Sequence, residues 1–159
     1  MALSLGTALA ANPPAKFAAA APAVIGKVTP ELVLALVQSV GFTVKLDKSG
    51  DDPELTLSRG RAVTIYLNLH DCKAGSCTEA DAYTYYARSD LDTAPTEGDM
   101  ADWNSKNYTQ AYIDSADDDS VNLDDLYYFK DGFTKANFLN WLNEFKKGAD
   151  LFDKMLRAL

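Results

Sequence analysis

One histidine and two cysteines are the only imidazole and thiol groups in these 159 residues. A structural zinc site takes four ligands, and His70, Cys72 and Cys77 fall one short. Redox dithiols are usually Cys-x-x-Cys beside a helix start, whereas four residues separate this pair. His70-Asp71-Cys72 is no better as a catalytic unit, because neighbours in an extended segment point to opposite faces and no orienting or oxyanion group accompanies them. The chain contains no Gly-x-Ser-x-Gly, no phosphate loop and no dinucleotide fingerprint. No enzymatic activity and no cofactor are expected from these residues.

Positive charge is scarce as well. Fifteen Lys and Arg stand against 23 Asp and Glu, a net charge of −8. Nucleic-acid binding needs a concentrated basic face, and Lys146-Lys147 is the one basic pair that stands out. No apolar run approaches the roughly 20 residues of a membrane-spanning helix, and no internal repeat is visible.

What is present suits one globular domain with a leader. Residues 1–23 combine a short apolar run, an Ala8-Leu9-Ala10 cleavage-like site and an Ala/Pro-rich spacer. They resemble a secretory signal without its positive n-region, and are read as a signal remnant or a structureless leader. The domain is placed at 24–159.

Within it, Thr29-Pro30-Glu31 has the N-cap and first-turn proline of a helix start. Leu32, Val33, Leu36 and Val37 follow at helical spacing, and Gly41 stops the helix. Phe42, Val44 and Leu46 alternate as a strand, then Leu55 and Leu57, then Val63, Ile65, Leu67 and Leu69. A loop over 70–78 holds both cysteines, and Ala82–Arg88 resumes a strand. A short helix from Thr96 carries Met100 and Trp103 and ends near Asn107. A hairpin follows, through Asp114 and an acidic turn to Val121-Asn122-Leu123. Leu126–Phe129 breaks that alternation, so a bulge is expected near Asp124-Asp125. Thr134 caps a last helix whose stripe runs through Phe138, Trp141, Leu142, Phe145, Ala149, Phe152 and Leu156, with Gly148 as a weak point. Strands and helices are segregated and the connections are short. The class is therefore α+β, an antiparallel sheet of five to six strands packed by N-terminal and C-terminal helices.

Two features invite a function. Tyr83, Tyr85, Tyr86, Tyr127 and Phe129 form the candidate interaction surface, since aromatic residues on half-exposed strands are typical of binding faces. The aspartates 114, 117, 118, 119, 124 and 125 crowd one hairpin. Counted as a calcium loop from Asp117, they put Val121 at a ligand position and Asn122 where glycine belongs. The motif fails, and a solvated acidic turn is the reading. Trp103 is assigned to the core, and Asn104 to the helix end or the neighbouring strand backbone. Cys72 and Cys77 form a structural disulfide if the protein is exported, and free thiols in a reducing cytoplasm.

Assembled, Asp102-Trp103-Asn104, Tyr108, Gln110-Ala111-Tyr112-Ile113-Asp114, Val121-Asn122-Leu123-Asp124 and Gly132-Phe133-Thr134 resemble the YbjN-domain family of bacterial proteins. The opening half, Thr29-Pro30-Glu31 and Gly41-Phe42, fits too. Asn107-Tyr108 stands where that family often has Arg-Phe, so no role of that arginine carries over. The resemblance implies a fold like the type III secretion chaperones, and a regulator of sensory transduction without established catalysis. It marks Trp103, Asn104, Tyr108, Tyr112, Asp114 and Asp124 as motif residues. The expected function is a non-enzymatic protein-binding or regulatory module of the cell envelope, periplasmic or secreted. The cytoplasm is the alternative location. The alternative function is a small-ligand protein or enzyme using a sheet–helix cleft. Its partner is another protein or, given the apolar run at Leu126–Phe129 and the dimers common in that fold, a second copy.

Overall fold

The structure, a computed structural model, describes residues 23–159 apart from 51, 61, 117, 118 and 131. The leader expected over residues 1–23 lies almost wholly outside the described residues, as do two of the hairpin aspartates.

Helix α1 (Pro30–Gln38) begins where the sequence places it, with the Thr29 hydroxyl accepting from the Leu32 N–H. Four strands follow in meander order: β2 (Thr43–Asp47), β3 (Glu54–Ser58), β4 (Ile65–His70) and β5 (Glu79–Ala87). Helix α2 (Glu97–Lys106) is fixed at its start by a reciprocal Thr96–Asp99 capping box, which satisfies two otherwise orphaned N–H groups. Strands β6 (Gln110–Asp114) and β7 (Ser120–Tyr128) form the hairpin, and helix α3 (Lys135–Leu156) closes the chain under a Thr134 cap. The sheet is six-stranded and antiparallel, in the order β2-β3-β4-β5-β7-β6. The α+β class is thus as read from the sequence.

Inward positions are Leu55 and Leu57 on β3, Ile65, Leu67 and Leu69 on β4, Ala80 and Ala82 on β5, and Val121 and Leu123 on β7, all buried. The helices pack on this one face. From α3 come Phe138, Leu142, Phe145, Ala149, Phe152 and Leu156, the expected stripe apart from Trp141, which is only partly buried. Val33, Leu36 and Val37 come from α1, and Met100 and Trp103 from α2. Each fully buried large side chain contributes about 1.5–3 kcal/mol by removal from water.

Several expectations are corrected. A two-stranded ribbon, β1 (Val24–Ile25) with β8 (Phe133–Thr134), was not legible; two-residue strands carry no periodicity. It crosses at Gly132, whose φ is +92° and where a Cβ would lie 2.6 Å from Val24 Cγ1. β5 starts at Glu79 rather than Ala82, extended by pairing with both β4 and β7. No bulge interrupts β7, which keeps one register against β5 from Ser120 to Tyr128. The alternation looked broken because Asp125 occupies an inward position, where the Trp141 Nε1–H donates to its Oδ2 at 2.8 Å. Helix α3 runs unbroken past Gly148. That glycine is the point of closest approach to Thr109, where a Cβ would stand 3.1 Å from Thr109 Cγ2.

Candidate functional site

The unbroken register of β7 decides which aromatic residues face out. Tyr86, Tyr127 and Phe129 turn toward the helices. Tyr86 meets Phe152 edge-on at 6.2 Å, and Tyr127 packs among Phe129, Phe133, Phe138 and Trp141. These three are core-side residues, a correction to the aromatic surface drawn from the sequence. The run Leu126–Phe129 likewise splits: Leu126 and Tyr128 point outward, 48% and 60% exposed, while their neighbours point in. β7 is an interior strand as far as Asp124. Only its last residues lack a partner on the β6 side.

Tyr83 and Tyr85 do lie on the outer face, the side of the sheet opposite the three helices. Tyr66, directly across from Tyr83 in the ladder, stacks on both, with ring centroids at 5.1 and 5.4 Å. Stacked pairs of this kind contribute about 0.5–1.5 kcal/mol beyond their burial. The Tyr83 hydroxyl donates to Glu54 Oε2 at 2.8 Å. Burial, reinforced by that carboxylate, raises the Tyr83 pKa, so the phenol stays a donor at any physiological pH. Tyr66 joins the site through register alone. The sequence shows it as the polar-side residue of β4 and gives no sign of its ring partners.

Carboxylates surround this cluster. Asp124 is the cross-strand partner of Tyr83, Asp81 lies two residues along β5, and Glu54 is one strand beyond Asn68. Burial and the nearby charges of Asp81 and Asp125 push the Asp124 pKa up to about 6. Burial likewise raises Asp81, whose Oδ1 is enclosed without a hydrogen-bond partner. Tyr112, on β6, is raised by burial and then by Asp124, Asp81 and Asp114. The family-motif residues Tyr112, Asp114 and Asp124 therefore share this face. Trp103 and Asn104 sit behind the sheet edge, and Tyr108 projects wholly into solvent. At the corner, His70 Nδ1 lies 2.8 Å from Asp52 Oδ2.

Asn104 holds the edge of β6. Its amide nitrogen donates to the Ala111 carbonyl at 2.9 Å, and its carbonyl accepts from the Ala111 N–H at 2.7 Å. The Trp103 indole N–H donates to Thr109 at 3.2 Å, and its ring meets Phe152 edge-on at 4.9 Å. Both residues take the structural parts expected of them.

A cleft of about 370 Å³ opens at the end of the sheet, where the outward Tyr66 and Tyr85 meet Thr64, the helix-side Thr84 and Tyr86, and Asp153 and Arg157 at the end of α3. The Tyr86 hydroxyl makes no well-formed hydrogen bond there. Burial first, and then the charge of Asp153, raise its pKa.

Cys72 and Cys77 are at disulfide distance, 2.07 Å between sulfurs. Among the described residues no group of three or more His, Cys, Asp or Glu is arranged to hold a metal ion. No helix among the described residues is long and apolar enough to cross a membrane.

No protein-family model matches the chain, and no curated protein is similar to it in sequence. Solved structures are similar in fold. YbjN from E. coli, a proposed transcription regulator, superposes with a TM-score of 0.59 at 13% identity, over 83% of this chain and 93% of that one. An uncharacterized protein from Methanothermobacter thermautotrophicus superposes with a TM-score of 0.55 at 10% identity, over 82% and 98%. At such identities the likeness shows that this chain shares the YbjN fold.

Proposed function

We propose that the protein is a non-enzymatic, regulatory protein-binding module that engages its partner with the outer face of its sheet. The observation that carries this is the aromatic surface of Tyr66, Tyr83 and Tyr85, set among carboxylates on the side of the sheet away from the helices of the described residues. Aromatic groups held rigid by stacking lose little entropy on binding, which is why tyrosines recur in binding surfaces. The shared fold with a proposed transcription regulator is consistent with such a role, although a fold alone does not transfer a function. The cysteine pair at disulfide distance fits an oxidising compartment, so the site of action proposed is the periplasm or the exterior.

A photo-crosslinking residue in place of Tyr85, with Lys147 on α3 as the control position, tests this reading in the native host. Specific adducts from position 85 that are missing from 147 are expected. Repeated recovery of nothing from position 85 would overturn it. The second reading, a small polar ligand in the cleft beside Tyr86, is favoured by that unsatisfied hydroxyl. A Tyr86→Phe variant that loses a bound metabolite would support it.

A further inference from the structure

Among the described residues, the outer face carries more negative than positive charge. Its strand positions hold Asp47, Glu54, Glu79, Asp81, Asp114 and Asp124, against Lys45 and His70. Eight ion pairs form among the described residues, and none of them uses Asp47, Glu54, Glu79, Asp81 or Asp124. The cations of α2 and α3 are instead spent on helix neighbours, as in Lys106–Asp102, Lys146–Asp150 and Arg157–Asp153. Asp81 and Asp124 are half removed from water. That burial, and then the neighbouring charges of Asp125 on both and of Asp81 on Asp124, raise their pKa values, with His70 offsetting part of the rise at Asp81.

We propose that this face docks an extended, arginine-bearing segment of a partner protein, with Asp81 and Asp124 as its anchor carboxylates and Tyr66, Tyr83 and Tyr85 as its stacking surface. This rests on the binding-module reading and names the chemistry of the partner. Three facts select arginine. Asp81 pairs with Leu126 in the ladder and Asp124 with Tyr83, so the two residues occupy diagonal positions on neighbouring strands, roughly 7–8 Å apart along the sheet. Alternate side chains of an extended segment are separated by about 6.6 Å, which lets two of them reach both. A guanidinium pairs with a carboxylate in a two-pronged bond while stacking its plane on an aromatic ring, and Tyr83 lies beside both acids. A second copy of this chain is disfavoured by the same charges, since a face-to-face dimer would oppose twelve carboxylates, six from each copy.

The test titrates the full chain, isotope-labelled, with peptides of roughly nine residues, about 30 Å when extended. One alternates arginine with threonine; the others carry serine or glutamate in place of arginine. Chemical-shift mapping is expected to place the arginine peptide on β4, β5 and β7. D81N/D124N is expected to weaken it about tenfold or more, and raised salt to weaken it further. The control D102N/E144Q removes the same charge from helix surface pairs and is expected to change affinity less than about twofold. Equal weakening in both variants would reduce the effect to attraction by net charge and overturn the proposal. Equal mapping of the serine or glutamate peptide to the face would overturn the arginine assignment while leaving the binding module standing. Self-association through the face near neutral pH would overturn it too. Absence of any peptide from the face would sink the proposal alone, the module itself being judged by the crosslinks at position 85.

Discussion

Asn104 and Ala111 meet as two strands would, the side-chain amide of one matching both backbone groups of the other at 2.9 and 2.7 Å. A helix side chain thereby closes the outer edge of β6, where an unpaired strand would otherwise present a template for aggregation.

Replacing Asn104 with Ala should therefore cost about 1–2 kcal/mol, because it leaves a backbone donor and acceptor without partners. Asn104→Asp should cost at least as much, since a carboxylate would face the Ala111 carbonyl. Urea unfolding gives the loss. Faster hydrogen exchange at Ala111, with β4 and β5 unchanged, would locate it at the edge.

Gly148 tests whether helix propensity or packing governs the middle of α3. Gly to Ala in a helix ordinarily gains about 1 kcal/mol. Here the new methyl would press on Thr109 Cγ2, and Thr109 is held in place because its Oγ1 accepts from the Trp103 indole at 3.2 Å. Gly148→Ala alone should be neutral or destabilising by up to about 1 kcal/mol. In a Thr109→Ser background, which removes Cγ2 and keeps the hydroxyl, the same change should stabilise. A thermal-unfolding double-mutant cycle reads the difference directly.

The pH dependence follows from Asp124. Its folded pKa of about 6 lies above the ordinary carboxyl value of 3.8. Between these values the folded state binds more protons than the unfolded one, so stability falls as pH rises through that window. At neutral pH the destabilised, ionised form prevails. Asp124→Asn should thus stabilise the fold by roughly 0.5–1 kcal/mol at pH 7.5, a gain kept small by solvent screening of a half-exposed site. At pH 4 the gain should vanish. Denaturant midpoints at the two pH values measure it, and an equal effect at both would refute the assignment.

Cys72→Ser with Cys77→Ser should cost no more than about 1–2 kcal/mol, since the closed loop is short. Other bonds already fix the segment: the Cys77 N–H donates to the Val28 carbonyl at 2.8 Å, and Lys73 and Ser76 exchange both backbone bonds. Thiol titration of protein taken from its own compartment should find no free thiol. Two free thiols would move the protein to the cytoplasm.

The elements were legible in the sequence where one physical signal governed them. The caps at Thr29, Thr96 and Thr134, the alternation through Leu55–Leu57 and Ile65–Leu69, and the three-and-four spacing of α3 are local, and they set both element type and buried face. Charge and the scarcity of histidine and cysteine bounded the function classes in the same way. The sequence could not say which way β7 faces, because an aspartate at an inward position reads as a break in the pattern until Trp141 arrives from α3 to bond it. The continuous register of β7 against β5 places Tyr127 and Phe129 on the core side and leaves Leu126 and Tyr128 outside. The site depends on the same level of organisation. Tyr66, Tyr83 and Tyr85 become one surface only through strand register, which also makes neighbours of Asp81 and Asp124, 43 positions apart in the chain.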